Sequence, residues 1–108
     1  MYARVSTFEG PAGTTEEQIQ EGTRLIREQI LPAAQQLEGF MGIISLADRQ
    51  SGKELTVTLW ESEEALRASE EAANRLRKEA AYALQARIQL VERYEVIVSE
   101  VKTPALTG

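Results

Sequence analysis

Apolar and polar residues alternate in four short segments of this chain, and apolar residues recur every three to four positions in two longer ones. The alternating segments 2–8, 40–47, 54–60 and 88–101 are rich in Val, Ile, Thr and aromatic residues and predict β-strands. The helical segments fall between the first and second strands and between the third and fourth. This order, β-α-β-β-α-β, predicts an α+β ferredoxin-like fold with a four-stranded antiparallel sheet and both helices on one face.

Residues with marked terminal preferences set the ends of the two helices. Either Thr14 or Thr15 can form a capping box with the Glu or Gln three positions later, and Ser62 predicts the start of the second helix. Pro32 cannot donate a backbone hydrogen bond, so we expect a kink or an altered final turn there. Gly39 predicts a left-handed cap at the end of the first helix. The inward stripe of that helix is Ile19, Ile26, Ile30, Ala33 and Leu37.

The second helix presents unusually small residues on its inward stripe. The stripe is Leu66, Ser69, Ala73, Leu76, Ala80 and Ala83. Small side chains either let a helix pack closely on the sheet or leave room for a ligand. The hydroxyl of Ser69 either bonds back to the carbonyl four residues earlier or points into a polar part of a cavity. The sequence leaves both alternatives open.

The second strand does not alternate, because both of its faces are apolar. One face carries Phe40, Ile44 and Leu46, and the other carries Met41, Ile43 and Ala47. Two helices cover only one face of such a sheet. An uncovered face with Met41, Ile43 and a neighbour such as Ile97 would form the kind of apolar patch that marks an interface. We therefore expect a homodimer through the sheet face, with scattered surface residues as the alternative.

Composition excludes several classes of function. A length of 108 residues predicts a single domain over 1–102 with a loose C-terminal tail at 103–108. The net charge of -5 disfavours a nucleic-acid partner. Without a long apolar run or a leader we expect no membrane partner and a cytoplasmic location. The chain has no Cys and no His, so it lacks thiols and imidazoles, and we expect neither a metal nor a cofactor.

Four side chains are candidates for substrate binding, and none is assigned a catalytic role. Trp60 offers an indole face to an aromatic ligand, or it fills the core. Arg4 shares a strand face with other residues of the first strand; if that face is buried, Arg4 requires a carboxylate or an anionic ligand, and otherwise it pairs across a dimer rim. Tyr94 directs its hydroxyl to the pocket or to a partner, or is structural. Ser69, with the two alternatives given above for its hydroxyl, is the fourth candidate.

The order of elements and two motifs resemble the antibiotic biosynthesis monooxygenase-like family of dimeric α/β-barrel proteins. The first motif runs from Pro32 into Gly39-Phe40-Met41-Gly42 at the start of the second strand. The second is the strand-to-helix junction LTVTLWESEEA over 55–65, and the closing Tyr94-Glu95-Val96 is also similar. The resemblance covers nearly the whole chain.

The resemblance implies a mixed set of activities. The family includes cofactor-independent oxygenases of quinol-like or polyketide aromatics and haem-degrading enzymes. It implies that Trp60 lines a pocket between sheet and helices, whereas the family's helix-two His is replaced here by Ser69, so haem degradation is not expected. Two functions remain: a cofactor-independent monooxygenase of a small aromatic or quinol-like substrate, and a non-catalytic dimer that binds a small apolar ligand or serves as an accessory or stress-response protein.

Overall fold

The computed structural model describes residues 1–102 and confirms the predicted ferredoxin-like fold. The elements are β1 (Tyr2–Glu9), α1 (Glu16–Leu25), a π-helical turn (Ile26–Ile30), α2 (Leu31–Gln35), β2 (Phe40–Asp48), β3 (Lys53–Trp60), α3 (Glu63–Ala68), α4 (Glu70–Ala83) and β4 (Arg87–Glu95). The strands form one antiparallel sheet in the order β2-β3-β1-β4. The tail expected at 103–108 lies outside the described residues.

The first helix begins at its predicted capping box, but its last segment, α2, ends at Gln35 with Gln36 as its cap, so Gly39 lies in the turn that follows and not at the helix end. The Thr15 side chain accepts from the Gln18 amide at 3.2 Å, and the Gln18 side chain accepts from the Thr15 amide at 2.7 Å. The distortion expected at Pro32 is observed as a π-helical turn directly before α2. In this turn the Leu31 amide donates to the Ile26 carbonyl, five residues earlier, next to the proline that has no amide hydrogen to donate. Gly39 adopts φ +82°, and a Cβ there would collide with the Ala65 Cβ, so only glycine fits.

The second helical segment is two helices, not the single long helix that the sequence predicted. Ser62 caps α3 by accepting a hydrogen bond from the Ala65 amide at 3.1 Å. The chain then breaks at Ser69, which separates α3 from α4. The Ser69 Oγ donates to the Leu66 carbonyl at 2.7 Å, three residues earlier rather than four. This local bond competes with the α-helical ladder and accounts for the break.

The fourth strand is shorter than predicted. It ends at Glu95 rather than 101, at the residue that pairs with Tyr2 of β1. One more backbone bond follows, from the Val96 amide to the Met1 carbonyl at 2.9 Å. Ile97 beyond it is 82% exposed.

Strand register assigns each sheet side chain to one of two faces, because directly opposed residues in an antiparallel pair point to the same side. Arg4 contacts α3 and α4 and so defines the helix side. The helix side carries the polar residues Arg4, Ser6, Ser45, Glu54, Thr56 and Thr58, which we call the polar face, together with the apolar residues Phe8, Ile43, Ala47, Trp60 and Val91. The opposite side, the apolar face, carries Ala3, Val5, Ile44, Leu46, Leu55, Val57, Leu59, Leu90 and Tyr94, with Thr7 and Glu92 as its polar members.

The prediction of which residues lie on the uncovered face of the sheet was partly wrong. Ile43 lies opposite Thr58 and therefore on the helix side. The register shifts between Phe40 and Gly42, and this irregularity inverts the alternation that a regular strand would follow. Ile97 lies beyond β4 and takes no part in the sheet. The uncovered face is more apolar than predicted, because it carries the alternating aliphatic residues of β2 and β3 together.

Candidate functional site

A buried arginine organises the helix side at one end of the sheet. Arg4 is 2% exposed. Its Nη2 donates to the Leu66 carbonyl at 2.8 Å and to the Ser69 Oγ at 2.9 Å, and its Nε donates to Glu70 Oε1 at 3.0 Å. The guanidinium also lies 5.4 Å from the ring centroid of Trp60. Three of the four candidate residues from the sequence, Arg4, Trp60 and Ser69, are therefore in one cluster.

The ring of Trp60 lies against the Arg4 guanidinium. The indole is 1% exposed, packs edge-on against Phe40 at 5.5 Å between centroids, and donates its Nε1–H to the Thr58 Oγ1 at 3.0 Å. The cation near its ring is Arg4. Trp60 therefore fixes the position of Arg4, and its only polar group already has an acceptor.

Glu70 is the carboxylate that the buried Arg4 required, and the sequence did not single it out. It binds Arg4 on one side and Arg93 of β4 on the other, with Arg93 Nε 3.0 Å from Oε1. Hydrogen bonds from Arg93 and then from Arg4 lower the pKa of Glu70 to about 2. At neutral pH Glu70 is a carboxylate that locks α4 to β1 and β4, and it is a poor proton acceptor.

The fourth candidate, Tyr94, is not part of the Arg4 cluster, but it lines a cleft that opens beside the cluster. It pairs with Ala3 and so projects its side chain on the apolar face, where it is 50% exposed. Its hydroxyl donates to Glu92 Oε2 at 2.6 Å, and this hydrogen bond is the main reason that the pKa of Tyr94 is raised.

A cleft of about 460 Å³ opens beside the cluster, between the ends of β1 and β4 and the helices α3 and α4. Its volume falls in the range of small-molecule sites. Its lining residues are Tyr2, Glu63, Leu66, Arg67, Glu70, Arg93, Tyr94 and Glu95. Three carboxylates and two guanidiniums among them give this cleft no excess of positive charge.

A row of hydroxyl groups crosses the polar face next to Arg4. Ser6 pairs with Thr56, and Thr56 pairs with Ser45 on its other side, with Thr58 one step along β3. We call Ser6, Ser45, Thr56 and Thr58 the hydroxyl row. A sheet face that packs against helices in a dry core is normally apolar, because buried hydroxyls without partners are costly.

The first helix does not close over this row. No residue of α1 or of the π-helical turn is buried, and its apolar residues Ile19, Ile26 and Ile30 are only half-buried. A Cβ at Gly22 of α1 would lie 3.9 Å from the Leu84 side chain at the end of α4, so α1 lies beside α4 on the helix side, where the hydroxyl row also lies. We call the region between the aliphatic stripe and the hydroxyl row the α1 groove.

Glu54 is the acidic member of the polar face and was not a candidate from the sequence. It pairs with Phe8 and Ala47 and is half-buried, and burial raises its pKa. Within residues 1–102 no hydrogen bond or ion pair engages its side chain. The sequence could have indicated Glu54, because Glu54, Thr56 and Thr58 occupy alternate positions of one strand and therefore share a face.

Two other kinds of site are absent from the described part of the chain. No helix within residues 1–102 is long and apolar enough to cross a membrane. In the same range, no three acidic side chains converge into a group that could hold a metal ion.

Comparison with known sequences gives relatives without an assigned activity. No protein-family model matches the chain. Two uncharacterized proteins of Mycobacterium tuberculosis are similar: Rv2558 is 35% identical over 91 residues, covering 82% of this chain, and Rv2557 is 35% identical over 81 residues, covering 75%. The chain spans 37% and 34% of their lengths, little more than a third of each relative.

Solved structures share the fold over almost the whole chain. A candidate antibiotic biosynthesis monooxygenase of Deinococcus radiodurans matches with TM-score 0.63 and 17% identity, covering 94% of this chain and 98% of its own. A monooxygenase of Streptomyces coelicolor in complex with nanaomycin D gives 0.63 and 16%, covering 94% and 92%. SnoaB, a cofactor-independent oxygenase of Streptomyces nogalater, gives 0.57 and 13%, covering 95% and 96%. The resemblance expected from the sequence is thus confirmed for the fold.

Proposed function

We propose that this chain is a homodimer that binds a small aromatic or quinol-like ligand on its helix side and oxidises it with molecular oxygen without a cofactor. One observation carries the proposal: the face turned away from the helices carries the alternating aliphatic residues of β2 and β3, whereas the helix side mixes the polar face with apolar residues such as Phe8, Ile43 and Val91. In a monomer whose helices covered the whole core, the uncovered face of the sheet would be polar. The apolar face therefore requires a cover, and the hydroxyl groups of the helix side can bind a ligand.

A second copy of the chain is the cover that fits the apolar face. Leu46 and Leu90 at its two sides are 49% and 51% exposed, and the aliphatic residues of β3 lie between them. Two apolar faces of this kind can pack against each other in a two-fold symmetric dimer. Such a dimer would bury the apolar face of both copies. The same surface left in water would promote association in any case.

The α1 groove suits an aromatic compound with polar substituents. Its aliphatic wall can pack on the ring faces, while the hydroxyl row and Arg4 can bind ring oxygens. An electron-rich aromatic that loses a proton can itself pass electrons to oxygen. For an anthrone, the ring CH₂ loses a proton, the carbanion is oxidised by O₂ to a peroxide, and loss of water leaves a carbonyl, so R₂CH₂ and O₂ give R₂C=O and H₂O.

Glu54 is the proton acceptor in this proposal. A carboxylate whose pKa is raised is a better base near neutral pH than Glu70, whose pKa is lowered. The similar folds include a cofactor-independent oxygenase and a monooxygenase bound to nanaomycin D, which supports an aromatic ligand and oxygen chemistry as a hypothesis.

Oxygen uptake with anthrone and naphthalene-1,4-diol tests the activity. We expect uptake above the buffer rate with the wild type, and about a hundredfold lower rate with Glu54→Gln, since a general base contributes on that scale. The same variant should melt about 2 °C higher. Its raised pKa means that ionised Glu54 costs stability at pH 7, and this cost falls as pH decreases through that pKa.

Glu71→Gln is the matched control, because Glu71 is an exposed glutamate on α4. It should leave both uptake and melting temperature unchanged. Equal loss of uptake in the two variants would show that Glu54 is not the base. Uptake no faster than buffer with every substrate would remove the oxygenase.

A non-catalytic ligand-binding dimer is the second candidate. It is favoured by the engagement of Glu70 with two arginines, which leaves the Arg4 cluster without a proton acceptor of its own. Stabilisation of the protein by the same compounds, with no oxygen uptake, would support this candidate over the enzyme.

A further inference from the structure

The segment that follows β4 has the composition of a strand but no strand to pair with. Residues 96–101 read VIVSEV, and β-branched residues of this kind favour β-structure. The Val96 amide donates to the Met1 carbonyl, but no backbone hydrogen bond joins residues 97–102 to any other part of the chain that the structure describes. The chain bends at Ile97 and leaves the line of β4. A segment that favours β-structure is therefore without a partner in its own sheet.

Three apolar side chains of this segment are exposed to water. Ile97, Val98 and Val101 are 82%, 81% and 62% exposed. Single apolar residues on a surface are ordinary, whereas several that are close together in one segment form a continuous apolar strip. Such a strip is typical of a segment that packs against another molecule.

A hollow of about 240 Å³ lies on the apolar face at the end of the β2–β3 hairpin. Its lining includes Leu46 and Leu55, which pair with each other, and Asp48 and Lys53, which pair two residues nearer to the turn. All four lie on the apolar face, because residues that are opposed in register or two apart along a strand share a side. No ion pair among residues 1–102 includes the Lys53 ammonium. The hollow therefore has an apolar centre and a charged rim.

The segment after β4 carries side chains that match this hollow. Alternate residues of an extended segment share a side, so Val98, Glu100 and Lys102 lie together. Along that side an apolar residue is followed two positions later by an acid and then by a base. In the hollow, each leucine lies two positions from a charged residue, which is Lys53 on β3 and Asp48 on β2. The segment and the hollow are therefore complementary in apolar surface and in charge.

The segment does not reach the hollow of its own chain. Val96 lies beside Met1 at one end of the sheet, whereas the hollow lies at the other end and on the opposite edge. The eight residues of β3 alone separate the two ends by about 24 Å, whereas Val98 lies within about 7 Å of Val96. The hollow that Val98 can occupy is therefore that of a second copy.

We propose that residues 96–102, which we call the arm, cross to the partner copy and place Val98 between Leu46 and Leu55 of the partner's hollow. The inference rests on the homodimer of the proposed function and identifies a second contact between its two copies. If the strands of the two apolar faces cross near a right angle, a two-fold axis can bring the end of β4 over the partner's β2–β3 hairpin. The same symmetry repeats the arm contact at the opposite corner.

The charged residues of the arm then form ion pairs with the rim of the hollow. Glu100 pairs with Lys53 of the partner, and Lys102 pairs with Asp48. These pairs lie at the exposed edge of the interface, so they fix the register of the arm more than they add to its affinity. Burial of Val98 supplies the main gain.

The absence of cysteine from the chain permits a direct test by disulfide cross-linking. In the double variant Val98→Cys, Leu46→Cys, oxidation should join the two positions between copies, because a disulfide requires Cα atoms about 4.4–6.8 Å apart. We expect most of the protein to migrate as a covalent dimer on a non-reducing gel, with the bond located between positions 98 and 46 by peptide mass spectrometry. Tyr82→Cys, Leu46→Cys is the matched control, since Tyr82 is 89% exposed but lies on α4.

The control should form no bond between positions 82 and 46. Equal yields from the two double variants would overturn the arm, because they would report random collision. Failure to form the 98–46 bond in a protein that sediments as a dimer would also overturn the arm, and would leave the apolar-face dimer intact. A protein that sediments as a monomer and forms no bond would refute the dimer and the arm together. Neither ligand nor substrate enters these measurements, so their outcome is separate from that of the oxygen-uptake test.

Charge reversal tests the ion pairs of the arm. Glu100→Lys should raise the dissociation constant of the dimer about tenfold, because it places two cations together at each of two symmetric contacts. Adding Lys53→Glu in the same chain should return the constant to within about twofold of the wild type. Glu71→Lys, at an exposed residue of α4, should leave it unchanged. No recovery in the double variant, or equal weakening by Glu100→Lys and Glu71→Lys, would overturn the docking of the arm in this register.

Discussion

Replacement of Trp60 with alanine is expected to lower the free energy of unfolding by about 3–5 kcal/mol, the usual cost of removing a buried aromatic side chain. Trp60 is the most buried large side chain among the described residues, and it packs against both Phe40 and Arg4. For a domain of this size the loss corresponds to a melting temperature at least about 12 °C lower. Thermal unfolding followed by circular dichroism measures it.

Trp60→Phe separates the ring from its hydrogen bond. Phenylalanine retains an aromatic face beneath Arg4 but cannot donate to Thr58, so we expect a loss of only about 1 kcal/mol. Equal and small losses in the alanine and phenylalanine variants would contradict the role of Trp60 as the support of Arg4.

Replacement of Glu70 with glutamine is expected to cost about 2 kcal/mol at pH 7. Removing one partner of a buried ion pair costs more than this, but the Glu70 side chain is 32% exposed and solvent weakens its interactions. The loss arises because Arg4 remains buried without a compensating charge. Urea unfolding at pH 7 measures it, and the exposed Glu71→Gln change is the matched control.

The pH dependence of this loss follows from the lowered pKa of Glu70. A carboxylate with a folded pKa of about 2 and an ordinary value of 4.5 contributes stability that is fully present above 4.5. That contribution is lost as pH falls from about 4.5 towards 2. The difference between wild type and Glu70→Gln should therefore shrink over this interval. A difference that stays constant from pH 7 to pH 3 would contradict the account.

The sequence predicted the element order because the periodicities are strong and the caps are clear. The failures arose where one element depends on another. The fourth strand ends at Glu95, where its pairing with β1 ends, and residues 88–101 carry no sign of this limit. The irregularity near Met41 reversed the assigned face of Ile43, since alternation alone assumes a regular strand.

The site was predictable only in part for a similar reason. A buried arginine on the first strand implies an anionic neighbour, so the sequence predicted a partner for Arg4 but did not identify the residue. Glu70 lies 66 positions away, and only the packing of α4 on the sheet brings it to Arg4. Tyr94 lies on the other face from the cluster because its partner in register is Ala3. Residue types indicated the chemistry, whereas the register decided which residues share a face.

The mass in solution tests the central claim, that the apolar face is an interface and the polar face a ligand site. Sedimentation equilibrium at micromolar concentration should give the wild type twice the chain mass of 12.0 kDa. The double variant Leu46→Lys, Leu90→Lys should sediment as a folded monomer, while Tyr82→Lys, an equally radical change at an exposed residue of α4, should remain a dimer. A wild type of 12.0 kDa, or a double variant that stays dimeric, would contradict the account.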